Sequence, residues 1–337
     1  MDRVSPRRRG MTLVELLVVI VILGLLGVAT APAISPANNK RKLRDAAAAV
    51  SSHLLRAAAD AVGTRSGRGA WLAPDGSGTA SPTTVLRFCP GSVEASALAT
   101  ITAASPTSPT AQLVSLSPSY VPLTGTTTVP AGSTLRLVGI PYEYGLLDPS
   151  TLALNGSSAT LVWPYTAPGG SSFPCTLQIP PDRASGGRTA LSGNTCIDLP
   201  QSTYGVDGYT PSRTPPTSWS LATFNNAAPV RITFDSIGRP KAVTACFGTS
   251  TVAETRKLDA RTPLAFLVGF RDQVGQAYVA NPTEDNPGSN LQRKDTWWVV
   301  LDPRSGTVFE VENAPNSDNR ADAQRFIRQR LHNDPAQ

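Results

Sequence analysis

Glu15 is the residue whose type and setting first suggest chemistry. It stands five positions after Gly10, in a run from Met11 to Ala31 that carries no other charge. An ionised carboxylate in a bilayer-like setting costs about 2.5–3.5 kcal/mol on insertion scales, so it marks a functional position. Elsewhere no catalytic set assembles. His53 and His332 are the only imidazoles, which leaves Ser/His/Asp and Cys/His schemes without a base in the distal region. There is no GxGxxG at a strand–helix junction and no phosphate-cradling Gly-Lys loop. Asp182 and Asp198 are isolated, and His53 reads as a solvated residue off the apolar helix stripe.

Cys89, Cys175, Cys196 and Cys246 contain no CxxC pair, so neither a zinc site nor any other cofactor is expected. In an oxidising compartment they allow three pairings. Cys175 with Cys196 is preferred because it would clip a Pro/Gly-rich excursion; four buried, reduced thiols are the alternative. Glu284-Asp285-Asn286 forms one oxygen-rich loop, but EF-hand spacing is missing and a solvated loop is the simpler reading.

Glu15 must be positioned by a helix. Arg7-Arg8-Arg9-Gly10 precedes 21 almost uncharged residues, and a bilayer core needs about 20. The arginines place the N-terminus on the cytoplasmic side. A signal peptide would have a shorter apolar run and a small-x-small cleavage site. Pro32 and Pro36 should break the ladder, with Ser35 able to cap a resumed helix. Leu43, Ala47, Val50, Leu54, Ala58 and Ala61 then recur on one helical face, to an end near Gly63. Lys40, Arg41, Lys42 and Arg44 read as a solvated helix start, with nucleic-acid contact as the sharper reading.

From Trp71 onward short apolar runs alternate with Pro, Gly, Ser and Thr. Thr83–Phe88, Thr134–Ile140, Ala159–Trp163 and Cys175–Ile179 read as strands. Gly91–Pro130 and Pro180–Ser218 read as surface excursions. In the last third, Val230–Phe234 turns through Asp235–Arg239 into Ala242–Phe247, and Leu264–Phe270 comes next. Thr296–Leu301 runs through Asp302-Pro-Arg-Ser-Gly306 into Thr307–Glu312, the clearest hairpin in the chain. Trp297 and Trp298 must point to opposite faces of their strand. The expected class is α+β: a long N-terminal helix, membrane-spanning in its first half, packed on an antiparallel sheet domain.

The start of the chain resembles the class III signal of type IV pilins and type II secretion pseudopilins. That resemblance implies cleavage by a prepilin peptidase between Gly10 and Met11, and methylation of the new Met11 amine. Glu15, fifth in the mature chain, would neutralise the amine of a neighbouring subunit as helices pack into a fibre. Gly24 and Pro32 fall where the family loosens or bends this helix; Met11 departs from the family's usual Phe. The helix periodicity, the Val-x-Ile-x-Phe-Asp-x-x-Gly-Arg strand–turn and the terminal hairpin look like minor pseudopilins of the H type. The implied organisation is a 1–10 leader, an 11–32 assembly helix, a 37–63 amphipathic continuation, a 70–315 β domain with an insertion at about 90–225, and a 316–337 tail. The implied partners are the peptidase, other pilin subunits and the bacterial inner membrane, with the β domain periplasmic or on an extracellular fibre.

The net charge of +6 includes +3 from the leader, where four arginines face Asp2, leaving 6 − 3 = +3. That balance does not require a nucleic-acid partner. The alternative function is a surface subunit that binds DNA or another ligand through the tail arginines Arg325, Arg328 and Arg330. No hydrolase chemistry is expected.

Overall fold

The computed structural model describes residues 13–64, 67–75, 82–102, 111–118, 132–137, 143–145, 158–162, 171–181, 184–204, 222–225, 228–248, 253–258, 263–276, 279 and 288–313. Of the helix side chains, those of residues 24–37 lie outside the description. The chain divides into one compact unit up to Lys42 and a second from Leu43 onward.

Helix α1 runs over Leu13–Val62. The break expected at Pro32 and Pro36 is not present, and Ser35 lies inside the helix rather than at a cap. Each proline withholds one N–H from the ladder, and the turns on either side carry the helix across. The end at Val62 agrees with the predicted stop. Thr64 closes it, its hydroxyl donating to the Ala61 carbonyl at 3.2 Å.

In the second unit, α1 presents Leu43, Ala47, Val50, Leu54 and Ala61 to the core, as the periodicity predicts, together with Ala46 and Ala57. The many alanines leave little side-chain bulk between helix and sheet. They pack with Leu72, Ile232, Phe234, Phe266 and Val299 in one buried cluster.

Among the described residues the sheet beneath has eleven strands, all paired antiparallel. Its strands are β1 (Arg68–Ala73), β2 (Val85–Pro90), β9 (Ser185–Ala190), β10 (Thr195–Tyr204), β11 (Ala222–Asn225), β12 (Val230–Phe234), β13 (Pro240–Phe247), β14 (Glu254–Lys257), β15 (Leu264–Phe270), β16 (Trp297–Leu301) and β17 (Val308–Glu312). Their order is β17-β16-β15-β10-β11-β13-β12-β1-β2-β9, with β14 also on β13. A second sheet among the described residues holds β3 (Val93–Thr102), β4 (Ala111–Pro118), β5 (Thr134–Leu137), β6 (Glu143–Gly145), β7 (Ser158–Val162) and β8 (Ser171–Ile179), in the order β6-β5-β8-β3-β4-β7.

Two stretches read as excursions are therefore partly strand. Gly91–Pro130 carries β3 and β4, and Pro180–Ser218 carries β9 and β10. Thr, Ser and Ala suit strands when both edges are paired, even without long apolar side chains. Of the region expected as an insertion, β3 to β8 build the second sheet, whereas β9, β10 and β11 lie in the main one. Lys241 on β13 reaches Glu94 on β3 at 2.9 Å, and the Thr255 hydroxyl donates to the Gly132 carbonyl.

The two predicted turns form as read. Asp235 accepts from the Ile237 and Arg239 amides at 3.1 and 2.8 Å. Asp302 accepts from the Arg304 amide at 3.0 Å and the Ser305 hydroxyl at 2.6 Å. Gly238 and Gly306 take φ +81° and +75°, the left-handed region that favours glycine. The turns also meet each other: a Cβ on Gly306 would lie 3.2 Å from the Gly238 carbonyl.

Candidate functional site

Gly10 and Met11 lie outside the described residues, as do Arg325, Arg328 and Arg330. Glu15 is described. It sits in the first turn of α1, where a carboxylate is favoured by the exposed amides of a helix N-terminus. Around it the apolar side chains face outward on every side. Leu13 is 79% exposed and Leu23 is 62% exposed, and Val14, Leu16, Leu17, Val18 and Ile20 are exposed between them. An ordinary surface helix hides one stripe. This one hides none, so its sequence fits surroundings that are themselves apolar. Gly24 and Pro32 fall within the helix; their side-chain surroundings lie outside the description.

Residues 5–31 match the family model of the prokaryotic N-terminal methylation motif. The chain carries a class III prepilin signal. The matched stretch contains Gly10, Met11, Glu15 and Gly24 and stops just short of Pro32. No curated protein and no solved structure matches the chain. A signal of this kind implies processing by prepilin peptidase and assembly with other pilin subunits. Among the described residues no helix is long and apolar enough to cross a membrane. The described apolar side chains run only from Leu13 to Leu23, short of the ~20 residues a bilayer requires.

The cysteines do not pair as expected. No disulfide joins Cys89, Cys175, Cys196 or Cys246, and all four are buried. Cys175 lies on β8 of the second sheet and Cys196 on β10 of the main sheet, so the preferred bridge would have to join two different sheets. Burial pushes the Cys89 thiol up to about 12, partly opposed by the Arg231 guanidinium. Burial also pushes Cys196 well above the ordinary thiol range, helped by Asp198. Such thiols hold little thiolate and are poor nucleophiles.

His53 is a second correction. It is 3% exposed rather than solvated. Its Nε2 lies 2.9 Å from the Arg87 carbonyl on β2, and its Nδ1 lies 3.3 Å from the Thr189 hydroxyl on β9. The neutral ring that donates from Nε2 and accepts at Nδ1 satisfies both partners. Burial lowers its pKa, a shift opposed by the Arg87 carbonyl bond and reinforced by Arg56. The stripe through Leu43, Ala47, Val50, Leu54, Ala58 and Ala61 is only one edge of the buried face. Ala46, Val50, His53 and Ala57, spaced 4, 3 and 4 apart, form the other edge, and that spacing is readable in the sequence.

Asp198 is not isolated either. It is fully buried and accepts from the Asn290 amide at 2.9 Å and from the Gln201 backbone at 3.2 Å. Asn290 also bonds both backbone groups of Phe270, at 2.8 and 3.0 Å. Asn313 takes the Trp298 indole N–H at 2.9 Å and donates to the Leu291 carbonyl at 2.7 Å. The network ties the segment before β16 to the bulge in β10 between Asp198 and Thr203. It is structural in character, since every group named is bonded within the fold. Trp298 faces this side and Trp297 packs against the helix-side core, the opposite-face arrangement predicted. Among the described residues no group of His, Cys, Asp or Glu is placed to hold a metal.

Proposed function

We propose that the chain is a minor pilin or pseudopilin with a mechanical role and no catalytic one. Prepilin peptidase removes residues 1–10, Met11 becomes the methylated N-terminus, and α1 enters a helical fibre. Before assembly the first half of α1 spans the inner membrane once, with the leader cytoplasmic and the β domain outside. In the fibre, the Glu15 carboxylate meets the Met11 ammonium of a neighbouring subunit. This neutralises a charge that would otherwise stand alone in an apolar layer.

The observation that carries this reading is the unshielded apolar surface of α1 at Leu13–Leu23 with Glu15 in its first turn, inside a matched methylation motif. The strand–turn at Val230–Arg239 and the terminal hairpin support the H-type minor pseudopilin as the nearest kind. Assignment to a secretion pseudopilus or a type IV pilus would follow from adjacent secretion-ATPase and secretin genes.

Co-expression with a prepilin peptidase tests the reading. The mature mass should fall by residues 1–10, and Gly10→Ala should block or slow the cut. Glu15→Val should still insert in the membrane yet fail to enter fibres. A wild-type chain left uncut by an active peptidase would remove the basis of the assignment.

A further inference from the structure

The strand registers place a row of cationic and aromatic side chains across one face of the main sheet. Arg231 on β12 is directly opposite Trp71 on β1, Trp71 is opposite Arg87 on β2, and Arg87 is opposite Arg188 on β9. Residues directly opposite on antiparallel strands project from the same face. The face is the one turned away from α1, because Ala70, Leu72, Leu86 and Ile232 alternate with this row and enter the helix-side core.

Three features make the row unlike ordinary surface charge. Arg87 and Arg188 are exposed and form a like-charge pair across two strands, an arrangement that destabilises a sheet. Among the described residues neither guanidinium has a carboxylate at ion-pair distance. The flanking positions on the same face hold no acid: Thr233, Gly69 and Cys89 on one side, Ala73, Val85 and Ala190 on the other. Thr233, Gly69 and Cys89 are buried, whereas Ala73 and Val85 are half-buried and Ala190 is exposed, so the row opens to solvent on the second side. Finally, Trp71 is half-buried, with the Arg231 guanidinium 4.8 Å from its ring centroid. A π-surface therefore sits among the cations.

We propose that this row is a binding site for single-stranded nucleic acid. Arg87 and Arg188 would hold phosphates, and the Trp71–Arg231 stack would take a base. Four strands at about 4.8 Å spacing give a row of about 14 Å, the reach of a few phosphates. Cationic side chains with an interleaved aromatic are what strand-tracking sites use. A duplex keeps its base faces stacked inside and cannot use the indole. The site lies on the β domain and uses no residue of the prepilin signal, so its failure would leave the pilin reading untouched.

The test uses the full chain in detergent and a fluorescently labelled oligothymidylate, followed by anisotropy at several salt concentrations. Binding should weaken steeply with salt. Arg87→Ala with Arg188→Ala should lower the salt slope by about 0.7 per lost phosphate contact. Trp71→Leu should weaken binding by roughly five- to a hundredfold. Arg188→Glu is the decisive variant, because it replaces a repulsive cross-strand pair with an attractive one. It should raise the melting temperature while abolishing binding, which separates loss of a site from loss of the fold. Absence of wild-type binding at low salt would overturn the proposal, as would wild-type affinity in Arg188→Glu. Tighter binding of dextran sulfate with no effect of Trp71→Leu would also overturn it, assigning the row to a sulfated polymer.

Discussion

The His53 and Phe88 rings stack with centroids 4.2 Å apart and planes 20° from parallel, joining α1 to the second strand of the main sheet. The same imidazole bonds the neighbouring Arg87 carbonyl and the Thr189 hydroxyl. One side chain thus ties the helix to two strands, β2 and the edge strand β9.

This geometry predicts a pH effect. Burial lowers the pKa of His53 in the fold, so below the unfolded value of about 6.5 the unfolded chain binds more protons than the native one. Stability should therefore fall as pH drops from about 6.5 through the lowered native value. His53→Phe should lack this component of the pH dependence in urea titrations. His53→Ala should cost about 2–3 kcal/mol, since it leaves the Arg87 carbonyl without this donor and opens a cavity.

Gly238 tests how closely the end of the helix rests on the sheet turn. Its φ of +81° costs a side chain about 1–2 kcal/mol, and a Cβ there would lie 3.2 Å from the Ala58 carbonyl and 3.1 Å from Val62 Cγ2. Gly193 has φ +63° but nothing within 4 Å of an added Cβ. Gly238→Ala should therefore lower the melting temperature more than Gly193→Ala, the difference reporting the helix contact.

Asn290→Ala should destabilise by about 3 kcal/mol or more, because it removes a donor from buried Asp198 and both bonds to the Phe270 backbone. A Cβ on Gly269 would overlap the Asn290 side chain, so Gly269→Ala should injure the same network. In a double-mutant cycle the two losses should be clearly less than additive.

The thiols should be silent in the native state. With burial holding Cys89 near 12 and raising Cys196 above the ordinary thiol range, labelling by an aromatic disulfide at pH 8 should be slow until urea exposes them. Intact mass should be the same with and without reductant. A mass lower by two hydrogens without reductant would show a bridge and contradict the four free thiols.

Local signals were legible where the chemistry is local. Asp235–Arg239 and Asp302–Gly306 carry their own turn instructions in an Asp and a Gly, and both formed as read. The helix face from Leu43 to Ala61 repeats at spacings of three and four, and it packs accordingly. β10 was not legible: Thr195–Tyr204 holds a buried Asp, a Pro and the polar run Gln201-Ser202-Thr203, and it becomes a strand because β15 lies alongside. Arg87 and Arg188 illustrate the same limit for the proposed site. Nothing near either residue announces the other; only the register of β2 with β9 brings them face to face.

The strand order has a consequence for how the molecule comes into being. Arg68 pairs with Phe234 and Val85 with Ala190, while the second sheet is begun by near neighbours such as β3 with β4 and β5 with β6. Closing long chain segments before any contact rewards them makes such topologies slow to form. As the chain emerges N-terminus first, the apolar side of α1 and β1 must wait for β12, which is made far later. The last-formed pairings therefore complete the earliest-made surface. Over that interval the nascent chain displays its future interior, a period in which a chaperone has something to hold.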